Sequence, residues 1–332
     1  MPRFAFEDFT PGATIPLGEA AVSREAIVAF AQIWDPQPLH LDDAAAREGP
    51  AGGLIASGWY TCCLNMRLLV DGLLGHSTSL GAPGIDEVRW LAPVRPGDRL
   101  RSTFHVLDAK RSRSRPEMGL VRCRIDVAAD RPVMAQTGWI MFGRRGAASG
   151  GTAPSRGTAP VGPERLPQAD PASQLAAALP FDALSVGTVT ELGTHPFTAE
   201  EIRAFAGEYD PQPFHLDAEA AAGTHFGALS ASGWHTAAAW RRRVALTRDA
   251  AAAALLAQGR EPARFGPSPG FRDLRWLRPV QASDTVHFRS TLVDKRLSAS
   301  RHGWGLVFHD NAGVNGRGEQ VFLVRSCVLW SR

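Results

Sequence analysis

The chain has 332 residues, 44% of them hydrophobic and 21% charged, a length and composition that fit about two globular domains. Its formal net charge of +3 is too small to point to nucleic acid as a partner. The four cysteines (Cys62, Cys63, Cys123, Cys327) form no CxxC pair, and no run of about 18 apolar residues or apolar N-terminal leader core occurs, so a zinc site, a disulfide framework, a membrane span and a secretion signal are not expected. The default expectation is a reduced, cytoplasmic protein.

In chain order, Thr14–Val22 reads as a strand that Pro16 confines to a sheet edge. Ser23 is a helix N-cap, and Ile27, Val28, Phe30 and Ala31 supply an apolar face up to Trp34. The segment Trp34–Asp42 follows, with Pro36 and Pro38 giving a stiff, non-helical turn between Asp35 and His40. A short helix is expected from Asp42 to Arg47. Ser57 then caps a long helix that is apolar on most sides, as a helix inside a domain must be. Four alternating segments, Gly84–Leu91, Asp98–Ala109, Gly119–Ala129 and Val133–Phe142, read as antiparallel strands.

Residues 144–173 are rich in Gly, Ala, Pro, Ser and Thr and read as a linker between a domain at 1–143 and a second at 174–332. After it the pattern restarts. Val186–His195 reads as a strand, and Thr198 with Glu201 makes a capping-box pattern before a helix through Glu208. Strands are expected at Gly270–Leu277, Asp284–Lys295, Gly303–Asn311 and Glu319–Trp330. The halves are offset by 175 residues at the turn and by 186 at Arg89-Trp90-Leu91 and Arg275-Trp276-Leu277. The second half therefore carries eleven extra residues, expected within Arg241–Gly270.

The repeat carries the chemistry. Asp35-Pro36-Gln37-Pro38-Leu39-His40 recurs as Asp210-Pro211-Gln212-Pro213-Phe214-His215, and Ser57-Gly58-Trp59 recurs as Ser232-Gly233-Trp234. Each glycine lies 23 positions after its aspartate. A carboxylate and an imidazole on one stiff segment can share a water molecule, and a glycine amide at a helix N-terminus can receive a developing negative charge. Enolate formation beside a thioester needs those parts together.

The two turns resemble the hydratase-2 motif of the MaoC-like, (R)-specific enoyl-CoA hydratases, roughly D-x-N-P-x-H, in both halves. The family's Asn is Gln37 or Gln212 here, and the His commonly preceding its glycine is Ser57 or Ser232. The resemblance implies an α+β double hotdog: two antiparallel sheets, each wrapping a long central helix, joined as a pseudo-dimer within the chain. It implies reversible syn hydration of a trans-2-enoyl thioester, with Asp35, His40, Asp210 and His215 catalytic and the amides of Gly58 and Gly233 as oxyanion holes. Ser57, Trp59, Ser232 and Trp234 are expected beside the substrate, and Arg115 and Arg301, at matching hairpins, are candidates for the CoA phosphates. The partner is an acyl-CoA or acyl-carrier-protein thioester, with coenzyme A entering only as part of the substrate. No other cofactor, metal, nucleic acid or membrane is expected, and a homodimer of such chains is an open possibility. The alternatives are a thioesterase of the same fold and a non-catalytic acyl-thioester binding module. The first is disfavoured because neither long helix carries an acidic residue in its first turn.

Overall fold

The computed structural model of the chain describes residues 2–48, 51–146 and 171–332. Most of the segment read as a linker, 147–170, lies outside the described residues. The first half runs β1 (Thr14–Ala21), α1 (Arg24–Trp34), α2 (Pro38–Leu41), α3 (Asp43–Glu48), α4 (Gly58–Gly72), β2 (Gly84–Trp90), β3 (Arg99–Arg111), β4 (Met118–Ala128) and β5 (Pro132–Gly143). The second half repeats it as β6 (Val189–Pro196), α5 (Ala199–Tyr209), α6 (Pro213–Leu216), α7 (Ala218–Ala222), α8 (Gly233–Ala257), β7 (Phe265–Gly266), β8 (Gly270–Trp276), β9 (Thr285–Leu297), β10 (Trp304–Val314) and β11 (Gln320–Ser331).

The described strands form one antiparallel sheet, ordered β1-β3-β4-β5-β2-β8-β11-β10-β9-β6, with the two-residue β7 added against β11. The halves meet where β2 pairs β8, Gly84 opposite Arg275 and Arg89 opposite Gly270. Gly84 and Gly270 are equivalent in the repeat, as are Arg89 and Arg275, so the seam is self-complementary like a two-fold dimer interface. Glycine is required there because the backbones cross closely. A Cβ on Gly84 would run into the carbonyl oxygen of Leu274, and one on Gly270 into that of Val88.

Each half wraps its part of the sheet around its long helix. Helix α4 buries Trp59, Tyr60, Cys62, Cys63, Met66, Leu68, Leu69 and Val70, which is why its apolar residues do not fall into one stripe. The extra residues of the second half lengthen this helix: α8 has 25 residues against 15 in α4. Its added turns bury Ala251 and Leu255 against Ala177 and Ala178, near a 3-10 helix at Pro171–Ala177.

Two local expectations are corrected. The Asp-His turn is not wholly non-helical, because Pro38 and Pro213 occupy the first position of a single helical turn, α2 or α6. A proline tolerates that position, since its missing N–H would have no helical partner. The capping box at Thr198 is only half formed: Thr198 Oγ1 accepts from the Glu201 N–H, while the Glu201 carboxylate turns instead to His195, at 2.9 Å from its Nε2.

Candidate active site

Asp35 ends α1 with its backbone already out of helix, Gln37 is extended, and α2 then turns His40 back toward Asp35. His40 Nε2 lies 3.5 Å from Asp35 Oδ2, and both side chains are buried. The other ring nitrogen, Nδ1, is 2.8 Å from the carbonyl oxygen of Ile55. A carbonyl only accepts, so Nδ1 carries the hydrogen, and neutral His40 offers Nε2 as an acceptor toward the carboxylate side. Burial pushes His40 below its ordinary pKa against the opposing pull of Asp35, and Arg241 pushes it the same way as burial.

Asp35 is surrounded by donors. Oδ2 accepts from Ser57 Oγ at 2.6 Å; Oδ1 accepts from Gln37 Nε2 at 2.8 Å and from Arg241 Nε at 2.9 Å. Burial works to raise its pKa, but Arg241, His40 and the Ser57 hydroxyl outweigh it and hold the carboxyl below its usual range. The second dyad copies most of this. His215 Nε2 is 3.4 Å from Asp210 Oδ2, His215 Nδ1 is 2.7 Å from Ser230 O, and Asp210 accepts from Ser232 Oγ at 2.6 Å and Gln212 Nε2 at 2.9 Å. It lacks the guanidinium: the first-half position matching Arg241 is Met66.

Gly58 and Gly233 are the first residues of α4 and α8. Among the described residues the Gly58 N–H makes no hydrogen bond, leaving a donor at the positive end of a helix. Each glycine is pinned by a tryptophan of the repeated Arg-Trp-Leu. Trp90 Nε1 donates to Gly58 O at 3.1 Å and Trp276 Nε1 to Gly233 O at 2.8 Å, and a Cβ on either glycine would overlap that indole. In the sequence, Trp90 and Trp276 stand only as landmarks of the repeated Arg-Trp-Leu, each at the end of an expected strand. Their recurrence at a fixed place in the repeat was the available signal for a shared role.

A cavity of about 540 Å³ is bordered by Asp35, His40, Gly58, Trp59 and Trp90 from the first half and by Trp240, Arg241 and Phe271 from the second. Exposed Ser300 and Arg301 also border it. The structure thus brings Asp35, His40, Gly58, Trp59 and Arg301 to one space. Other expected residues are elsewhere. Ser57 and Ser232 are buried behind the carboxylates and hold them, each Oγ also accepting from the following Trp N–H at 3.2 Å. Trp234 packs edge-on to Trp276, and Arg115 is tied to Glu117 at 2.7 Å. None of these four borders the cavity.

Asp210, His215 and Gly233 border neither this cavity nor a smaller one beside it. Leu39 and Ala51, on the wall of the first site, are replaced in the repeat by Phe214 and Phe226. Those two rings stack at 4.6 Å, with Phe226 5.7 Å from the His215 ring. Two small groups at the first site have become two aromatic rings at the second.

A separate polar cluster lies in the second half. His195 Nε2 is 2.9 Å and His235 Nε2 3.5 Å from Glu201 Oε2. Burial raises the Glu201 carboxyl, but the hydrogen bonds and charge of the two imidazoles overcome this and bring it down to about 2. His195, at the end of the strand read at Val186–His195, is part of this buried pairing. No helix among the described residues is long and apolar enough to cross a membrane.

Comparison with known proteins agrees with this architecture. The family model described as "MaoC like domain" matches residues 9–127 and again 184–303. An uncharacterised Bacillus subtilis protein, YdeM, is 31% identical over 116 residues, 35% of this chain and 80% of that protein. A solved Chloroflexus aurantiacus structure described as a MaoC domain protein superposes with a TM-score of 0.79 at 16% identity, over 100% of this chain and 99% of that one. A Mycobacterium tuberculosis protein described as having a double hotdog fold gives 0.69 at 16% identity, over 98% of each chain. The fold is the α+β double hotdog expected from the sequence.

Proposed function

The chain belongs to the MaoC-like domain family, and from that premise we propose that it hydrates a trans-2-enoyl thioester reversibly, at the site built on Asp35, His40 and Gly58. The observation that carries this reading is that an acceptor imidazole, an ionised carboxylate and an unpaired helix-end amide border one cavity. That set matches what addition of water next to a thioester carbonyl requires.

A water molecule is held between His40 Nε2 and Asp35 Oδ2. Its oxygen bonds to C3 of the enoyl group as one O–H bond breaks and that proton passes to Nε2. The electron pair of the C2–C3 double bond moves toward the thioester carbonyl, whose oxygen accepts from the Gly58 N–H. His40 then returns the proton to C2, and the carbonyl and neutral imidazole are restored. Both parts of the water arrive from one face, which is syn addition. Asp35 stays ionised throughout, because Arg241 and Ser57 stabilise the anion. A lost oxyanion donor of this kind costs about 3 kcal/mol of barrier.

The exposed Arg301 at the edge of the cavity is the side chain we assign to a phosphate of the carrier. The test is direct. Incubation with crotonyl-CoA should remove the enoyl thioester absorbance without releasing free thiol. Thiol release at a comparable rate would replace the hydratase with a thioesterase, and binding without either change would leave a binding module.

A further inference from the structure

The cavity at the first dyad continues into the second half, where the repeat offers an internal comparison. Helix α8 presents Arg241, Val244 and Arg248 to it, at i, i+3 and i+7, so they share one helix face. Arg248 belongs to the turns that α8 adds beyond the length of α4, and it brings a charge with it. The sheet beneath has changed in the same direction. Ser290, His309 and Asn311 border the cavity at the positions held in the first half by Phe104, Cys123 and Ile125. Those first-half side chains belong to the packed apolar core. One copy of the fold is filled with hydrocarbon; the other is opened and lined with polar groups at the same positions.

Arg248 is the uncompensated charge in this chamber. Arg241 has Asp35, but Arg248 makes no ion pair among the described residues and lies over two aromatic rings instead, 4.3 Å from the centroid of Phe265 and 5.2 Å from that of Trp330. Burial and the nearby Arg241 push its pKa down to about 9, while Asp35 and Asp249 pull weakly the other way. The His309 ring makes no hydrogen bond among the described residues, and burial together with Arg248 pushes it down to about 3, so it is a neutral donor and acceptor. A half-buried cation that is unpaired among the described residues favours an anion that joins it.

We propose that this chamber is a subsite for a carboxylate on the acyl group of the substrate, with Arg248 as its ionic partner and His309 beside it. The inference rests on the hydratase reading for the position of the thioester and adds the substrate class: an enoyl thioester whose acyl chain ends in a carboxylate. Arg248 lies seven residues beyond Arg241, about 10 Å along the helix axis. It also borders the smaller cavity, of about 30 Å³, together with Leu192, Leu292 and Trp330. The carrier's phosphates have Arg301 at the exposed edge.

The test compares thioesters of equal length. Trans-2-hexenoyl-CoA and the mono-CoA thioester of trans-2-hexenedioic acid are assayed with the wild-type chain and with Arg248→Leu. The wild type should prefer the carboxylated thioester by about 10-fold to 100-fold in kcat/KM, the worth of one charged hydrogen-bonded contact. Arg248→Leu should lose that preference, the two kcat/KM values becoming about equal. A wild-type preference for the neutral compound overturns the proposal, and this arm needs no variant to fold. Equal losses on both thioesters would assign Arg248 to the CoA moiety and also overturn it. Calorimetric binding of the saturated pair, adipyl-CoA and hexanoyl-CoA, separates the two levels. Tighter binding of adipyl-CoA without turnover of either enoyl compound would keep the carboxylate subsite and sink the hydratase reading.

Discussion

His40 is buried, bonded through Nδ1 to a carbonyl and depressed in pKa, and each of these facts favours the neutral ring. An unfolded histidine titrates near pH 6.5, so the native imidazole stays a base as the pH falls through that value. Two consequences share this sign. The acid limb of kcat/KM should lie below about pH 6.5. The stability linked to His40 is present above that pH and is lost progressively as the pH falls toward the native pKa, because the unfolded chain takes up the proton first. Arg241 contributes to the depression, so Arg241→Gln should move the acid limb to higher pH in a pH–rate profile of the folded variant. A limb that stays in place or moves lower would remove Arg241 from the account. The same substitution leaves Asp35 buried without its cation, a change that costs about 3–5 kcal/mol in denaturant unfolding. The Arg241 contact spans 206 residues of sequence, so nothing in the repeat pairs it with Asp35.

Among the elements, those set by local chemistry were the most legible. Ser23, Thr198, Ser57 and Ser232 all cap the helices expected of them, and the strands lie within a few residues of the alternating segments. Asp42 and Asp217 likewise accept from the amides of Ala45 and Ala220, as capping residues do. What failed was reading proline as non-helical on both sides, when it restricts the residue before it and can begin a helix itself. The insertion was located by register, but its form was not: an Ala-rich run is equally compatible with a loop-side helix and with an extension of the central one. Packing decides, since Ala251 and Leu255 are buried beside Ala177 and Ala178. Leu255→Ala should therefore lower the unfolding free energy by about 2–5 kcal/mol, read from the denaturant midpoint at constant slope. A change within error would mean that the added turns are not packed in solution. Whether a given dyad opens onto space was not legible either, because the Phe214–Phe226 stack forms only when the segment after α7 folds back on α6, and the polar chamber emerges only when both halves are folded against each other.

The molecule as a whole is a dimer made covalent, and the seam and the difference in surroundings between the two dyads both follow from that. At the seam, Gly84→Val places a side chain against the Leu274 backbone and should loosen the β2–β8 joint, lowering the thermal midpoint and the activity together. An unchanged midpoint would show that the halves do not depend on this pairing. Once two sites are encoded in one gene product, they are free to diverge. The first kept its cavity and gained a guanidinium on its carboxylate; the second kept the dyad geometry, but its dyad borders neither cavity. The account therefore stands on unequal sites, and the most direct measurement is hydration of an enoyl-CoA substrate by two matched single variants whose folding is checked by circular dichroism. Asp35→Asn should reduce kcat/KM by about 100-fold or more, the scale of general acid–base catalysis, while Asp210→Asn retains most of the wild-type rate. Equal losses in the two variants, or a larger loss from Asp210→Asn, would contradict it.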